Sequence, residues 1–480
     1  MFNGLLIQKY TMKKNLRIAV IGSSFSGSLF TRQLERYLKN PEVIIFEKNA
    51  HSSAFPHWTQ PEKGAAIFIN PNGMSTIKHY DNALYHQLRE IATPRISIEI
   101  DSININHENL CEIKDIIDNG LADDYGATVR WDSANKLLRS LLDESRIVYG
   151  MQLASYKYNP TTHKISLFFH ENSTYADEDF GEFDLLVAAD GCYSTVRDTE
   201  GQFNLKDSDT TTYHNISNFR LLVPNTSVPI VEDLKLIYNI PDKTEYPHYQ
   251  DLPPFNSLCR VGLSHCQANE KNPAGSTYLF GNFALGNNTE ISPVMKNSDF
   301  LKALFMPAGG SSNLTKQGKW LMSVLENEYA KIHWSRFQST PIKFTPTARA
   351  NTEALPILYL GDAAHAFPPS LGQGATTAIE DAYYSSEIFI DSIIEHQYFV
   401  NTSSYPFIIT LLEKINAQRK SRIEMIKNAS ISAGNHLISE NMYEELQHEA
   451  ELWAKSSQWR NIIRSIWKGY PRPKDESFWR

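Results

Sequence analysis

The sequence predicts a mixed α/β fold: a Rossmann-like domain with a parallel sheet, interrupted by a mainly antiparallel β domain and followed by C-terminal helices. Three observations predict it. Arg17-Ile18-Ala19-Val20-Ile21 is an apolar strand that enters a glycine turn and then apolar residues at helical spacing, before a second strand at Val43-Ile44-Ile45-Phe46. From about 201 to 345 the chain turns Pro- and Asn-rich with short aromatic strands such as 219–223 and 277–283. Pro356-Ile357-Leu358-Tyr359-Leu360 then restores the texture of the opening strands.

A chain of 480 residues is long enough for two or three domains. The expected division is a tail at 1–15, a nucleotide domain over 16–200 and 346–400, an inserted domain over 201–345, and a helical region over 401–480. Within the first segment, Phe25, Leu29, Phe30 and Leu34 mark the crossover helix. The alternation of Ile96, Ile98, Ile100, Ile103 and Ile105 gives half-buried antiparallel strands over 95–118, which are expected to join the inserted domain. Ser133 is the expected cap of a helix running to Leu142, and strands follow near 147–158, 164–170 and 183–189. Gly374 opens a helix to about Glu395, and 405–430 and 434–468 read as helices, with an amphipathic stripe at Tyr443, Leu446, Ala450, Trp453 and Ala454.

Composition removes several classes of function. Forty-six basic against 54 acidic residues leave a net charge of −8, so a nucleic-acid backbone is not the expected partner. Hydrophobic residues at 41 % and charged residues at 21 % exclude global disorder. Cys111, Cys192, Cys259 and Cys266 form no C-x-x-C pair, so neither a metal cluster nor a disulfide scaffold is expected, and a reducing compartment fits best. No apolar run reaches the roughly 18–20 residues of a membrane span, and a cytoplasmic protein is expected.

Three constellations carry chemistry. In the first, the turn Gly22-Ser23-Ser24-Phe25-Ser26-Gly27 lies between strand and helix, where free backbone N–H groups form a seat for a pyrophosphate. Ser24 replaces the middle glycine of the usual G-x-G-x-x-G spacing. Glu47 ends the second strand, where a carboxylate can accept adenosine ribose hydroxyls and favours FAD or NAD over NADP; a solvated strand-end charge is the alternative. The second constellation, Asp190-Gly191 through Arg197, is by itself a turn. The third runs from Gly361-Asp362-Ala363-Ala364-His365 through Pro368-Pro369-Ser370-Leu371-Gly372-Gln373-Gly374 into Ala375 and a helix.

In this order the three motifs resemble the class A flavoprotein monooxygenases, the FAD-dependent aromatic hydroxylases of the para-hydroxybenzoate, salicylate and kynurenine type. The resemblance extends over most of 16–400, taking in 64–67, Asn70-Pro71-Asn72-Gly73-Met74, Arg130 before its helix, and Asn218-Phe219-Arg220-Leu221-Leu222-Val223-Pro224. It implies that Gly22, Ser24, Phe25, Ser26, Gly27 and Glu47 hold the ADP half of a non-covalent FAD. Arg130 would reach the flavin phosphate or ribityl region, and Asp362, beside Gly361, the ribityl chain. Asp190, Gly191 and Arg197 would be shared between the pyrophosphate and an incoming nicotinamide nucleotide, a salt bridge being the alternative for Arg197. The family commonly has an arginine between the ribose carboxylate and the Gly-rich strand; residues 48–63 have none and offer only Lys48 and Lys63 as cations.

For catalysis, Gly372, Gln373, Gly374 and Ala375 are expected to bring backbone and a helix N-terminus to the flavin ring, favouring the negative charge that arises on reduction. Pro368 and Pro369 supply a rigid wall beside the reacting edge. His365 mainly supports the loop. Arg220 is the candidate for orienting substrate, an interdomain salt bridge being the alternative. The resemblance implies reduction of FAD by NADH or NADPH and transfer of an oxygen atom from O2, through a flavin C4a-hydroperoxide, to hydroxylate or epoxidise an aromatic or other hydrophobic small molecule. Two other readings stay open. A flavin halogenase lacks its Trp-x-Trp-x-Ile-Pro signature here, and a flavin-binding redox-sensing module would need the cofactor motifs without turnover. A monomer or homodimer is expected.

Overall fold

Arg17–Ile21, Leu185–Ala188 and Ile357–Tyr359 are aliphatic runs with both faces buried, the pattern a parallel sheet covered by helices requires. In the computed structural model they lie side by side in a five-stranded parallel sheet of order 147–149, 42–47, 17–21, 185–188, 357–359. The structure describes residues 10–11, 16–49, 66–102, 111–203, 211–224, 234–239, 259–268, 275–284, 305, 310–327, 332–345, 353–395, 404–435 and 457–467. The first and last described strands of this sheet in sequence are thus separated by the chain of the second sheet.

That second sheet has seven strands, in the order 333–339, 212–224, 276–284, 259–266, 234–239, 98–102, 111–113. All pairs are antiparallel except 234–239 with 98–102, which run parallel because the earlier strand reaches this sheet from the first segment of the chain. Alternation along the strands sorts their faces. Phe219, Leu221, Val261, Leu279 and Phe283 share one face and pack with Leu321 and Leu325 of the helix Lys316–Asn327. Leu222, Tyr278 and Phe280 occupy the opposite face, where Phe68 packs against the two aromatic rings.

The helix Gly374–Glu395 begins and ends where its sequence pattern places it, and packs along the helices Phe25–Tyr37 and Pro71–Tyr80. Phe30 meets Phe389 edge-on at 6.2 Å, and Tyr80 stacks on Tyr383 at 5.1 Å. Because this helix is buried on nearly every side, its polar residues Glu380 and Asp381 need internal partners.

Several expectations shift. The helix expected to start at Ser133 spans Trp131–Ser140 and follows directly on the strand Gly126–Arg130; Arg130 is its cap residue, and the Ser133 N–H is taken by Asp132 at 2.8 Å. The strand expected over 147–158 divides: Ile147–Tyr149 joins the parallel sheet, whereas Leu153–Asn159 forms a hairpin with Lys164–Phe169. Tyr10 and Thr11, placed in a tail, pair with Leu38 and Lys39. The helix expected over 405–430 spans Ser404–Asn435. Ile103, Ile105, residues 64–65, Lys63 and the stripe over 443–454 lie outside the described residues.

Candidate active site

The strand ends Ile21, Ala188 and Tyr359 point the same way, so the three motifs that follow them meet along one edge of the sheet. Gly22 has φ +101°, and a Cβ there would lie 2.5 Å from the Ala189 carbonyl oxygen. A Cβ on Gly27 would lie 2.0 Å from the Gly22 oxygen. These glycines bring the turn against its neighbours and leave the start of the helix Phe25–Tyr37 open, with no side-chain cap from Ser24. Gly361 packs in the same place: its missing Cβ would sit 3.2 Å from Ser26 Oγ.

Glu47 is buried, which removes the solvated-charge alternative. One oxygen accepts from Ser23 N–H (3.0 Å) and Ser23 Oγ–H (2.6 Å), the other from the backbone and side-chain N–H groups of Asn49. Burial pushes its carboxyl up, but Arg139, 3.7 Å away, and these donors prevail and hold it below the usual carboxylate range. Arg139, at the end of the helix Trp131–Ser140, is the arginine that stands beside Glu47; Lys48 is exposed. No local pattern ties Arg139 to Glu47, and only the packing of that helix brings them together.

Asp190 receives the Val196 N–H at 3.3 Å, and burial raises its carboxyl. Gly191 has φ +85° with clear space around it. Arg197 spends its guanidinium on two backbone carbonyls, Ala363 at 3.0 Å and Cys192 at 2.8 Å. It thereby ties the second motif to the third, in place of the salt bridge held open as its alternative. Arg130 is buried, near Asp132 at 3.2 Å and Ser276 at 3.5 Å. Asp362 is exposed at its surface yet surrounded by protein, and that burial raises its carboxyl against the lowering by His365 and Arg197. His365 is buried and hydrogen-bonded to Asp381.

Beyond this edge the segment Pro369–Gly372 borders a cavity of about 910 Å³, including its open mouth. Pro369, Gly372 and Gln373 line it; Pro368, Gly374, Ala375 and Arg220 do not. Gln373 turns its side-chain amide to Asn72 (3.2 Å). Arg220 shares the sheet face of Leu222, and among the described residues no carboxylate forms an ion pair with it. Phe68, Ile98, Leu236, Phe280, Ile463 and Trp467 make the rest of the cavity largely apolar.

Two polar residues at the cavity, Asn70 and Arg95, stand outside the roles read from the sequence. Asn70 donates to the Leu371 and Gly372 carbonyls (3.2 and 2.8 Å) and takes a hydrogen bond from Arg95. Arg95 lies on the strand Thr93–Arg95 opposite Gly126, whose lack of a side chain leaves room for the guanidinium. Burial alone pushes Arg95 down to about 10, which still leaves it charged at neutral pH. The one signal for it in the sequence is a single arginine heading an alternating isoleucine run.

A parallel sheet with glycine turns and a buried carboxylate along its carboxyl edge is the arrangement that holds a dinucleotide, and an apolar cavity lies between the loop 369–373 and the second sheet. Residues 341–395 match the family model described as FAD binding domain. The chain is 20 % identical over 450 residues to the FAD-dependent monooxygenase ausM of Penicillium brasilianum, covering 87 % of this chain and 77 % of that one. It is 23 % identical over 446 residues to the FAD-dependent monooxygenase cle3 of Aspergillus versicolor, covering 88 % and 77 %. The fold matches that of Klebsiella pneumoniae HpxO complexed with FAD and uric acid, with a TM-score of 0.64 at 16 % identity, over 94 % of this chain and 96 % of that one. In sequence and in fold the chain is similar to FAD-dependent monooxygenases of the class A flavoprotein type.

The tightly packed glycine turn, the uncapped helix start and the clear space at Gly191 fit FAD. Among the described residues no helix is long and apolar enough to cross a membrane.

Proposed function

We propose that the protein uses NADH or NADPH and O2 to hydroxylate or epoxidise a hydrophobic organic molecule held in the cavity beside residues 369–373. The single observation that carries this reading is the position of that cavity: one wall is the Gly-rich loop of the FAD-binding segment and the other is the second sheet. Bound FAD supplies the redox chemistry and oxygen activation.

The chain's own residues supply position and charge. The turn at 22–27 would seat the pyrophosphate against helix N–H groups, and Arg139, which holds the Glu47 carboxyl below its usual range, would keep it ionised as an acceptor for the ribose. The four hydrogen bonds Glu47 already accepts mean that Ser23 Oγ or the Asn49 side chain yields when the ribose enters. The first-turn N–H groups of the helix at Gly374 would favour negative charge on a bound ring, and the apolar cavity walls would exclude water from it. Arg197 holds the second and third motifs in one frame.

The test is a panel of hydrophobic substrates with the FAD-loaded enzyme, NADH or NADPH, and isotopically labelled O2. Substrate-stimulated nicotinamide oxidation with label in the organic product is expected. Nicotinamide oxidation that gives only hydrogen peroxide across the panel would reject the reading. Replacement of Glu47 tests the cofactor's orientation: Glu47→Gln should raise the Kd for FAD about ten-fold and leave that for FMN within about two-fold. Equal losses for both would assign Glu47 to the turn and not to the ribose.

A further inference from the structure

Among the described residues that line the cavity, Arg95 is the sole charged side chain. It is held in place on three sides. Its guanidinium lies 4.7 Å over the Phe68 ring, one terminal nitrogen donates to Asn70 Oδ1, and the strand bearing Gly126 runs beneath it. Yet its hydrogen bonding is incomplete. Nε is buried with no acceptor, and the other terminal nitrogen has no partner among the described residues. The Phe68 face offsets part of the charge but leaves the guanidinium edge free, and that edge is the one that recognises a planar oxyanion. Ser370 Oγ, which also lines the cavity, is likewise buried without a partner. A buried cation and a buried hydroxyl, both short of acceptors, are costly unless a ligand completes them.

We propose that Arg95 anchors an acidic group of the substrate, so that the cavity takes a bulky apolar molecule bearing a carboxylate or an equivalent delocalised oxyanion, with Ser370 as a second donor. This assignment rests on the cavity being the substrate site of the proposed reaction. Asn70 gives it a consequence for positioning. The same side chain that accepts from Arg95 donates to the Gly372 carbonyl, so the anchored acid is held at a fixed offset from the flavin loop.

The experiment is equilibrium binding to the FAD-loaded enzyme without nicotinamide or turnover, read by the flavin absorbance and by tryptophan fluorescence, to which the cavity-lining Trp467 contributes. The probes are a naphthoate and an anthracene carboxylate, each paired with its neutral amide. The acids should bind about ten-fold or more tighter than the amides, and Arg95→Gln should remove that preference while leaving amide binding within about two-fold. Arg95→Met, which keeps an apolar stem against Phe68, gives the same reading if the glutamine variant fails to retain FAD. Equal binding of acids and amides, no binding of either, or a preference that survives both substitutions would overturn the assignment. Acid-selective binding in an enzyme that transfers no labelled oxygen would leave the Arg95 site standing and remove the monooxygenase reading.

Discussion

Gly27→Ala should yield a protein that does not retain FAD. Its new Cβ would lie 2.0 Å from the Gly22 oxygen and 3.2 Å from Val20 Cγ1, and the first of these is backbone that cannot rotate away. Gly22 is itself tightly placed: a Cβ there would lie 2.5 Å from the Ala189 oxygen, and its φ of +101° suits only glycine. Strand, turn and helix must therefore separate, which costs about 3 kcal/mol or more and moves the helix start out of line with the pyrophosphate seat. The measurement is bound flavin per mole of protein after desalting, together with the thermal midpoint. A variant that keeps a full complement of FAD would show that the turn is not the cofactor seat.

Arg419→Met should be the most destabilising substitution outside the glycine turns. Arg419 is buried and meets both Asp381 (2.8 Å) and Glu380 (3.2 Å). Arg422 holds the same Glu380 at 2.6 Å, and His365 and the Gly361 N–H hold Asp381. Removing Arg419 leaves Asp381 with too little compensation, at a cost of about 3–5 kcal/mol. Burial pushes both carboxyls up, but Arg422 with Arg419 for Glu380, and His365 with Arg419 for Asp381, prevail and hold them below their ordinary values of 4.5 and 3.8.

This destabilisation should depend on pH. In the native protein the contribution of these depressed groups is fully present above their unfolded values, above about pH 5, and is lost as the pH falls through the lower folded values. In the variant, burial without Arg419 favours the protonated Asp381, so the loss of stability should be greatest at neutral pH and shrink toward about pH 4. Thermal midpoints of both proteins across this range check it. A difference that stays constant with pH would mean that packing, and not charge, is what Arg419 supplies.

The parts of the fold with strong local signatures are legible in the sequence. The strands at 17–21 and 357–359 and the helix from Gly374 to Glu395 follow from apolar runs and from glycines at turns. Boundaries shift where tertiary packing takes precedence: the helix at 131 starts without a side-chain cap because it continues straight from a strand, and the stretch over 147–158 is divided between two sheets. The glycines and Glu47 are recognisable because backbone approach and strand-end position leave a mark on local sequence. Arg139 and Arg95 leave no such mark. Each is an ordinary arginine whose role comes from a distant partner, Glu47 in one case and Asn70 in the other.

The strand order has a consequence for synthesis on the ribosome. The strand 357–359 and the helix from Gly374 complete an edge whose other parts lie within the first 197 residues. The amino-terminal β-α-β unit therefore emerges early but has to wait, with the edge strand 185–188 uncovered, until the entire second sheet has been translated. A sheet edge left open for that interval is a site for non-native pairing until the late strand docks.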